Sequence, residues 1–183
     1  MNLPIDKRIK KVLFTREELE KRISELAQWV NNEYSDSENL VIVGLMKGAI
    51  PFLAQLIKDV TVDHSLDFMI ASSYEGEHGS SGNVKIIMDL AHPIHNKDVL
   101  IVEDIIDSGI TLEKITGILK TRNPKSLKIL TLLDKPYHRK ANLKPYMYGF
   151  HCPDEFIVGF GLDYKEKMRN IPYIGVFDQT YLE

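Results

Sequence analysis

Apolar residues recur along the chain with two spacings, and the spacing predicts the element each run forms. From about Thr15 to Asn31, the residues Leu19, Ile23, Leu26, Ala27 and Val30 fall on one helical face. Thr15 and Glu18 have the spacing of a capping box, in which each side chain bonds the other residue's backbone N–H. This predicts an amphipathic helix packed on one side of a sheet. The run Leu40-Val-Ile-Val-Gly-Leu45 is apolar throughout, which suits a strand buried on both faces of a parallel sheet. A helix follows from about Ala49 to Lys58, then a strand near Leu66 to Ser72. The stretch from Tyr74 to Gly82 is polar and glycine-rich and reads as a mobile loop, left by a short strand from Val84 to Met88. The strongest strand is Asp98 to Glu103. A helix from about Thr111 to Thr121 comes next, with Pro124 just past its end. Ser126 to Leu133, Phe156 to Phe160 and Tyr173 to Phe177 read as the remaining strands. Strands alternating with helices predict an α/β fold with a mainly parallel central sheet flanked by helices. Ligands of such sheets sit beyond the carboxyl ends of the strands, so the loops leaving strands carry the candidate chemistry.

Composition narrows the function classes. A chain of 183 residues fits one domain, and with 44% hydrophobic and 27% charged residues it falls outside the disordered and fibrous classes. The net charge of −3 lacks the basic footprint of a nucleic-acid binder. No apolar run reaches the ~18 residues of a membrane span, and the start MNLPIDKRIKK has no apolar stretch of a secretory signal. The lone cysteine, Cys152, cannot form a disulfide within the chain and fits a reducing compartment, so the expected location is the cytoplasm.

The stretch Val99-Leu-Ile-Val-Glu-Asp-Ile-Ile-Asp-Ser-Gly-Ile-Thr111 is the most informative. A buried strand ends in adjacent carboxylates, Glu103 and Asp104. A short loop from Asp107 to Thr111 then opens a helix. Free N–H groups at a helix start attract anions, and the helix dipole adds to them. Gly109 permits close backbone approach to a phosphate, and Ser108 and Thr111 add hydroxyl donors. Helix capping explains Asp107 or Ser108, but not the acid pair at the strand's end. A sugar phosphate meets both demands, with hydroxyls for the acids and phosphate for the loop. No GxxxxGK[ST] loop is present, and Gly159-Phe-Gly161 lacks the rest of a dinucleotide fingerprint.

The segment from Val102 to Thr111 resembles the motif by which type I phosphoribosyltransferases bind 5-phosphoribosyl-1-pyrophosphate (PRPP), in the form carried by hypoxanthine-guanine phosphoribosyltransferases. The resemblance spans roughly Lys11 to Gln179. It implies the type I fold over 1–183 as a single domain, with a small hood subdomain formed from N-terminal and C-terminal segments. It also implies site roles. Glu103 and Asp104 would hold the ribose hydroxyls and serve Mg2+; Asp107, Ser108, Gly109, Ile110 and Thr111 would hold the 5-phosphate, Ile110 through its backbone. Asp107 would be the general base. Gly44-Leu-Met-Lys-Gly48 matches the family's pyrophosphate loop, which assigns Met46, Lys47 and Gly48 there, and in the family the peptide before the residue at Lys47 is often cis. Ser73 and Tyr74 begin a stretch similar to the family's catalytic lid. Lys135, in Leu132-Leu-Asp-Lys-Pro136, resembles the lysine that donates to a purine 6-oxo group. Phe156 and Ile157 resemble the segment that stacks on the purine and contacts its edge. Asp163 and Arg169 resemble the aspartate that serves magnesium and the arginine that clamps pyrophosphate. The implied partners are PRPP and a 6-oxopurine base, with no nucleic acid or membrane, in a homodimer or homotetramer.

Overall fold

This computed structural model describes residues 4–76 and 79–182, with the side chains of 73–83 outside the description. Two sheets form. The larger has strand order β4-β3-β2-β5-β6-β7, and the smaller has order β1-β9-β8. In chain order the elements are β1 (Ile9–Phe14), α1 (Arg16–Glu33), β2 (Leu40–Met46), α2 (Ile50–Asp59), β3 (His64–Gly76) and β4 (Gly79–Met88). Then come β5 (Asp98–Ile106), α3 (Ile110–Lys120), β6 (Ser126–Asp134), β7 (Met147–His151), β8 (Ile157–Val158) and β9 (Ile174–Phe177). Strands β3, β2, β5, β6 and β7 pair in parallel, and β4 pairs antiparallel to β3. This is the α/β architecture expected from the alternation of elements.

Helix α1 begins where its pattern predicts. Thr15 is the N-cap, and both halves of the capping box with Glu18 are present. Its apolar face, Leu19, Ile23, Leu26, Ala27 and Val30, is buried. The central strands are apolar on both faces because each face meets a different helical layer. Leu40 and Ile42 of β2, with Leu100 and Val102 of β5, join the core made with α1 and α2. Val41, Val43, Val99 and Ile101 join the core made with α3. A period of two therefore splits one continuous apolar run between two cores.

The structure departs from the sequence pattern at four places. Ile9–Phe14, given no element above, is strand β1, paired antiparallel with β9. Its lysines obscure an alternation, and its partner lies at the other end of the chain. Met147–His151, also unassigned, is β7, an edge strand paired with β6. The stretch read as a loop from Tyr74 to Gly82 continues β3 and β4 as an antiparallel ribbon, with Ser73 opposite Val84 and Gly76 opposite Gly79. Residues 77 and 78 of that stretch lie outside the described residues. Backbone pairing needs no apolar side chains, so a polar, glycine-rich segment can extend a ladder already formed. The strand read as Phe156 to Phe160 contracts to Ile157–Val158, because Gly159, Phe160 and Gly161 all have positive φ and turn the chain. A Cβ on Gly159 would stand 2.1 Å from the Tyr173 carbonyl oxygen, so only glycine fits this turn. No helix among the described residues is long and apolar enough to cross a membrane.

Leu26 is 1% exposed between α1 and the sheet. Leu26→Ala should lower unfolding stability by about 2–5 kcal/mol, read from urea denaturation, because the cavity cannot fully collapse in a packed layer.

Candidate active site

The carboxyl ends of β2, β5 and β6 carry three loops to one edge of the sheet, and chain 159–169 closes against them. A cavity of about 230 Å³ opens there, lined by Met46, Glu103, Asp107, Ser108, Gly109 and Thr111 among others. The sheet register brings this about. Gly44 pairs with Val102, and Glu103 with Thr131, so the three strands end nearly level.

The loop after β5 reaches α3 through Gly109, at φ 75°. Ile110 opens the helix, and a Cβ on Gly109 would meet Arg139 and Ala141 at 3.2 Å. Glu103 lines the cavity, while Asp104 is buried and faces Gly48; a Cβ on Gly48 would fall 1.6 Å from Asp104 Oδ2. Burial, then the charge and hydrogen bond of Asp104, push the Glu103 carboxyl well above its usual range. Burial also raises Asp104, against the bonds from Glu103 and the Ile105 N–H and the field of Arg169. The two acids thus hold protons more tightly than free carboxylates do.

Asp107 leaves Oδ1 buried without a hydrogen-bond partner. Its Oδ2 lies 3.8 Å from Lys135 Nζ. Lys135 also donates to the Glu155 carbonyl at 3.1 Å and lies 3.4 Å from Asp154, which His138 approaches at 2.8 Å. Phe156 is partly exposed and meets Tyr164 and Phe177 edge to face, whereas Ile157 is buried in β8.

The Met46–Lys47 peptide is cis. Lys47 donates to Glu166 at 2.7 Å. Arg169 donates to the Gly161 carbonyl at 2.8 Å, pairs with Asp163 at 2.9 Å and with Glu166 at 3.1 Å, and leaves Nε buried without a partner. The two loops meet glycine to glycine. Gly161 has φ 101°, and a Cβ there would stand 1.9 Å from the Gly48 carbonyl oxygen. Glu166 was missed by sequence reasoning, yet its carboxylate bridges Lys47 and Arg169, 119 and 3 residues away. No local signal marks it, since a glutamate in a charged turn is common. Asp154 and Arg139 were missed for the same reason. Ser73 and Tyr74 lie in β3, with their side chains outside the description.

The donor set suits a hard cation shared with a ligand. Among the described residues nothing basic offsets Glu103, and only the field of Arg169 offsets Asp104. No group of three or more His, Cys, Asp or Glu among them could hold a metal alone. A magnesium ion bound by one or two carboxylates, water and ligand oxygens fits such a site. Cys152 is buried, and burial pushes its thiol up to about 11, so it is a packing residue rather than a nucleophile.

The chain is similar to known proteins along nearly its whole length. Residues 12–165 match the family model described as phosphoribosyl transferase domain. The hypoxanthine-guanine phosphoribosyltransferase of Bacillus subtilis (strain 168) is 49% identical over 175 residues, 96% of this chain and 97% of that protein. A crystal structure of a hypoxanthine phosphoribosyltransferase from Staphylococcus aureus superposes with a TM-score of 0.94 at 45% identity, covering 100% of this chain and 99% of that one. The hypoxanthine phosphoribosyltransferase of Trypanosoma cruzi, solved with its product IMP, gives a TM-score of 0.91 at 32% identity over 98% of this chain and 100% of that one. With the family model spanning most of the chain and relatives matched nearly end to end, the chain belongs to the hypoxanthine-guanine phosphoribosyltransferases of the type I phosphoribosyltransferase family.

Proposed function

We propose that this chain is a purine-salvage enzyme. It transfers the 5-phosphoribosyl group of PRPP to N9 of hypoxanthine or guanine, giving IMP or GMP and pyrophosphate. One observation carries the choice of base: the Asp107 carboxylate and the Lys135 ammonium stand 3.8 Å apart beside the loop that opens α3. A 6-oxopurine presents N7 and O6 side by side on one edge. An acceptor for a proton on N7 and a donor for O6 must then be neighbours. An ammonium only donates, so it faces a 6-amino group, also a donor, unfavourably. Adenine is disfavoured on that account.

The rest of the site follows the ligand's chemistry. The N–H groups and hydroxyls from Asp107 to Thr111, with Ile110 contributing backbone alone, hold the 5-phosphate. Glu103 and Asp104 accept from the ribose hydroxyls. The pyrophosphate is gathered by Met46, Lys47 and Gly48 and by Arg169, replacing the Glu166 carboxylate that both cations now hold. Arginine's planar fork matches phosphate oxygens. The exposed Phe156 ring offers a stacking face to the purine, a contact of about 1 kcal/mol, and Ile157 offers its backbone to the base edge. Mg2+, served by Glu103, Asp104 and Asp163, would supply charge neutralisation to the departing pyrophosphate. Asp107 accepts the proton from N7 as N9 bonds to the ribose carbon and pyrophosphate leaves. The ribbon carrying Ser73 and Tyr74 would cover the reacting centre and exclude water.

The active unit we assign is one domain over 1–183, with the small β1-β9-β8 sheet as its hood, acting in the cytoplasm without nucleic acid or membrane. Leu66 and Phe68, on one face of β3, remain more than a third exposed. Apolar area of this kind supports assembly as a homodimer or homotetramer.

A purified-protein assay with PRPP, magnesium and each base in parallel tests the reading. Nucleotide should form with hypoxanthine or guanine and cease with EDTA, and formation from adenine or uracil alone would refute the base assignment. Asp107→Asn should lower turnover about a hundredfold or more while PRPP still binds, the scale of a lost general base. Lys135→Ala should weaken the preference for hypoxanthine over adenine. Hydroxyls donated by the ribose favour ionised Glu103 and Asp104, so binding of IMP should expel protons. Its calorimetric heat should therefore depend on the buffer's ionisation enthalpy, and Glu103→Gln should reduce that dependence.

A further inference from the structure

Behind the loop that opens α3 lies one guanidinium with every bond directed at backbone or at a buried acid. Arg139 follows the short 3-10 turn Pro136–His138. Its Nε donates to the Asp107 carbonyl at 2.7 Å, and Nη2 donates to the Ile106 carbonyl at 2.9 Å. Nη1 donates to the Leu143 carbonyl at 2.9 Å, and Nη2 also reaches the Asp134 carboxylate. The guanidinium side chain is 14% exposed and Asp134 is buried, so the charge pair is fixed in place. The same segment takes the next carbonyl too. The N–H groups of Lys140 and Ala141 donate to Ser108 at 2.9 and 3.0 Å, and that of Lys135 donates to Ile106 at 3.0 Å.

These bonds determine where the opposite ends of the same peptides point. In a trans peptide the C=O of one residue and the N–H of the next are antiparallel. With the carbonyls of Ile106, Asp107 and Ser108 held on the Arg139 side, the N–H groups of Asp107, Ser108 and Gly109 turn the other way. That side is the cavity these residues line. None of those three N–H groups donates to another group among the described residues.

We propose that Arg139 is the positioning residue of the phosphate site: by holding the carbonyls of Ile106 and Asp107 from behind, it orients the loop's N–H groups towards a phosphomonoester and steadies Asp107. It rests on the site reading above, and it touches no substrate itself. Because Arg139 and Lys135 share one segment, the same device ties the base-recognising loop to the phosphate loop. Lysine cannot replace it. An ammonium is a point donor, whereas these carbonyls and the carboxylate need a planar fork. The linkage also has a sign. An N–H that donates to phosphate polarises its peptide and makes the carbonyl a better acceptor, so phosphate and Arg139 strengthen each other's bonds.

The test compares IMP with inosine, which lacks the phosphate, by calorimetry on the wild type and on Arg139→Lys. The wild type should bind IMP far more tightly than inosine. In Arg139→Lys that ratio should fall about tenfold, the scale of one lost hydrogen bond to a charged group, with inosine binding little changed and the KM for PRPP raised. Guanidinium, added at non-denaturing concentration to Arg139→Ala, should restore part of the ratio. A variant that melts earlier but keeps the wild-type ratio would make Arg139 a structural residue only and overturn the proposal. Should both variants fail to fold, the wild type still decides. Saturating ribose 5-phosphate should slow hydrogen exchange at the Arg139 Nε–H in NMR, and unchanged exchange overturns the proposal. A wild type that does not distinguish IMP from inosine overturns the reading of the phosphate site itself, and the Arg139 proposal with it.

Discussion

Parallel pairing of β5 with β2 on one side and β6 on the other is the constraint from which the site follows. Three apolar strands in register end nearly level, and the chain must leave each in the same direction. The segments around Met46–Lys47, Glu103–Thr111 and Lys135–Arg139 are therefore crowded onto one edge. Burial of the strands on both faces holds that edge rigid, because Leu100 and Val102 pack into one core while Val99 and Ile101 pack into the other. A slip of one residue would exchange the two cores' side chains and move every site group with them.

The rigid edge keeps groups that would otherwise avoid each other. Burial raises both Glu103 and Asp104 above the usual carboxylate range, and the charge and hydrogen bond of Asp104 raise Glu103 further. Asp107 Oδ1 and Arg169 Nε are buried without partners. Unsatisfied polar atoms of this kind are costly in a folded protein and are concentrated where a ligand supplies what is missing. The cations are arranged differently: Lys47 and Arg169 already hold Glu166, and Lys135 lies between Asp107 and Asp154. Among the described residues Glu103 thus has no basic partner, while Lys47, Arg169 and Lys135 all pair with carboxylates. In the proposed reaction, pyrophosphate oxygens would replace the Glu166 carboxylate on Lys47 and Arg169, and ribose hydroxyls would donate to Glu103.

Close contact between backbone segments completes the site. Gly161 packs on the Gly48 carbonyl, and Gly48 leaves room for Asp104. These contacts join the loop after β2, the acid pair of β5 and the segment carrying Asp163 and Arg169. A side chain at either glycine would force these three segments apart.

The sequence by itself determined α1, with its capping box and buried face, the central apolar strands, and the stretch from Glu103 to Thr111 as an acid-tipped strand end that turns into a helix. Each of these is written in residues close together, where periodicity and turn chemistry act directly. It did not reveal β1 or β7, whose pairing depends on β9 and β6 rather than on their own composition. Nor did it show that the polar stretch after Tyr74 continues as a paired ribbon, since backbone ladders leave little trace in side-chain pattern. Only the tertiary structure brought Lys135 to Asp107, Glu166 to Lys47 and Arg139 behind the loop that opens α3. Those meetings join residues 28, 119 and 32 positions apart, and strand order and register, not local spacing, decide them.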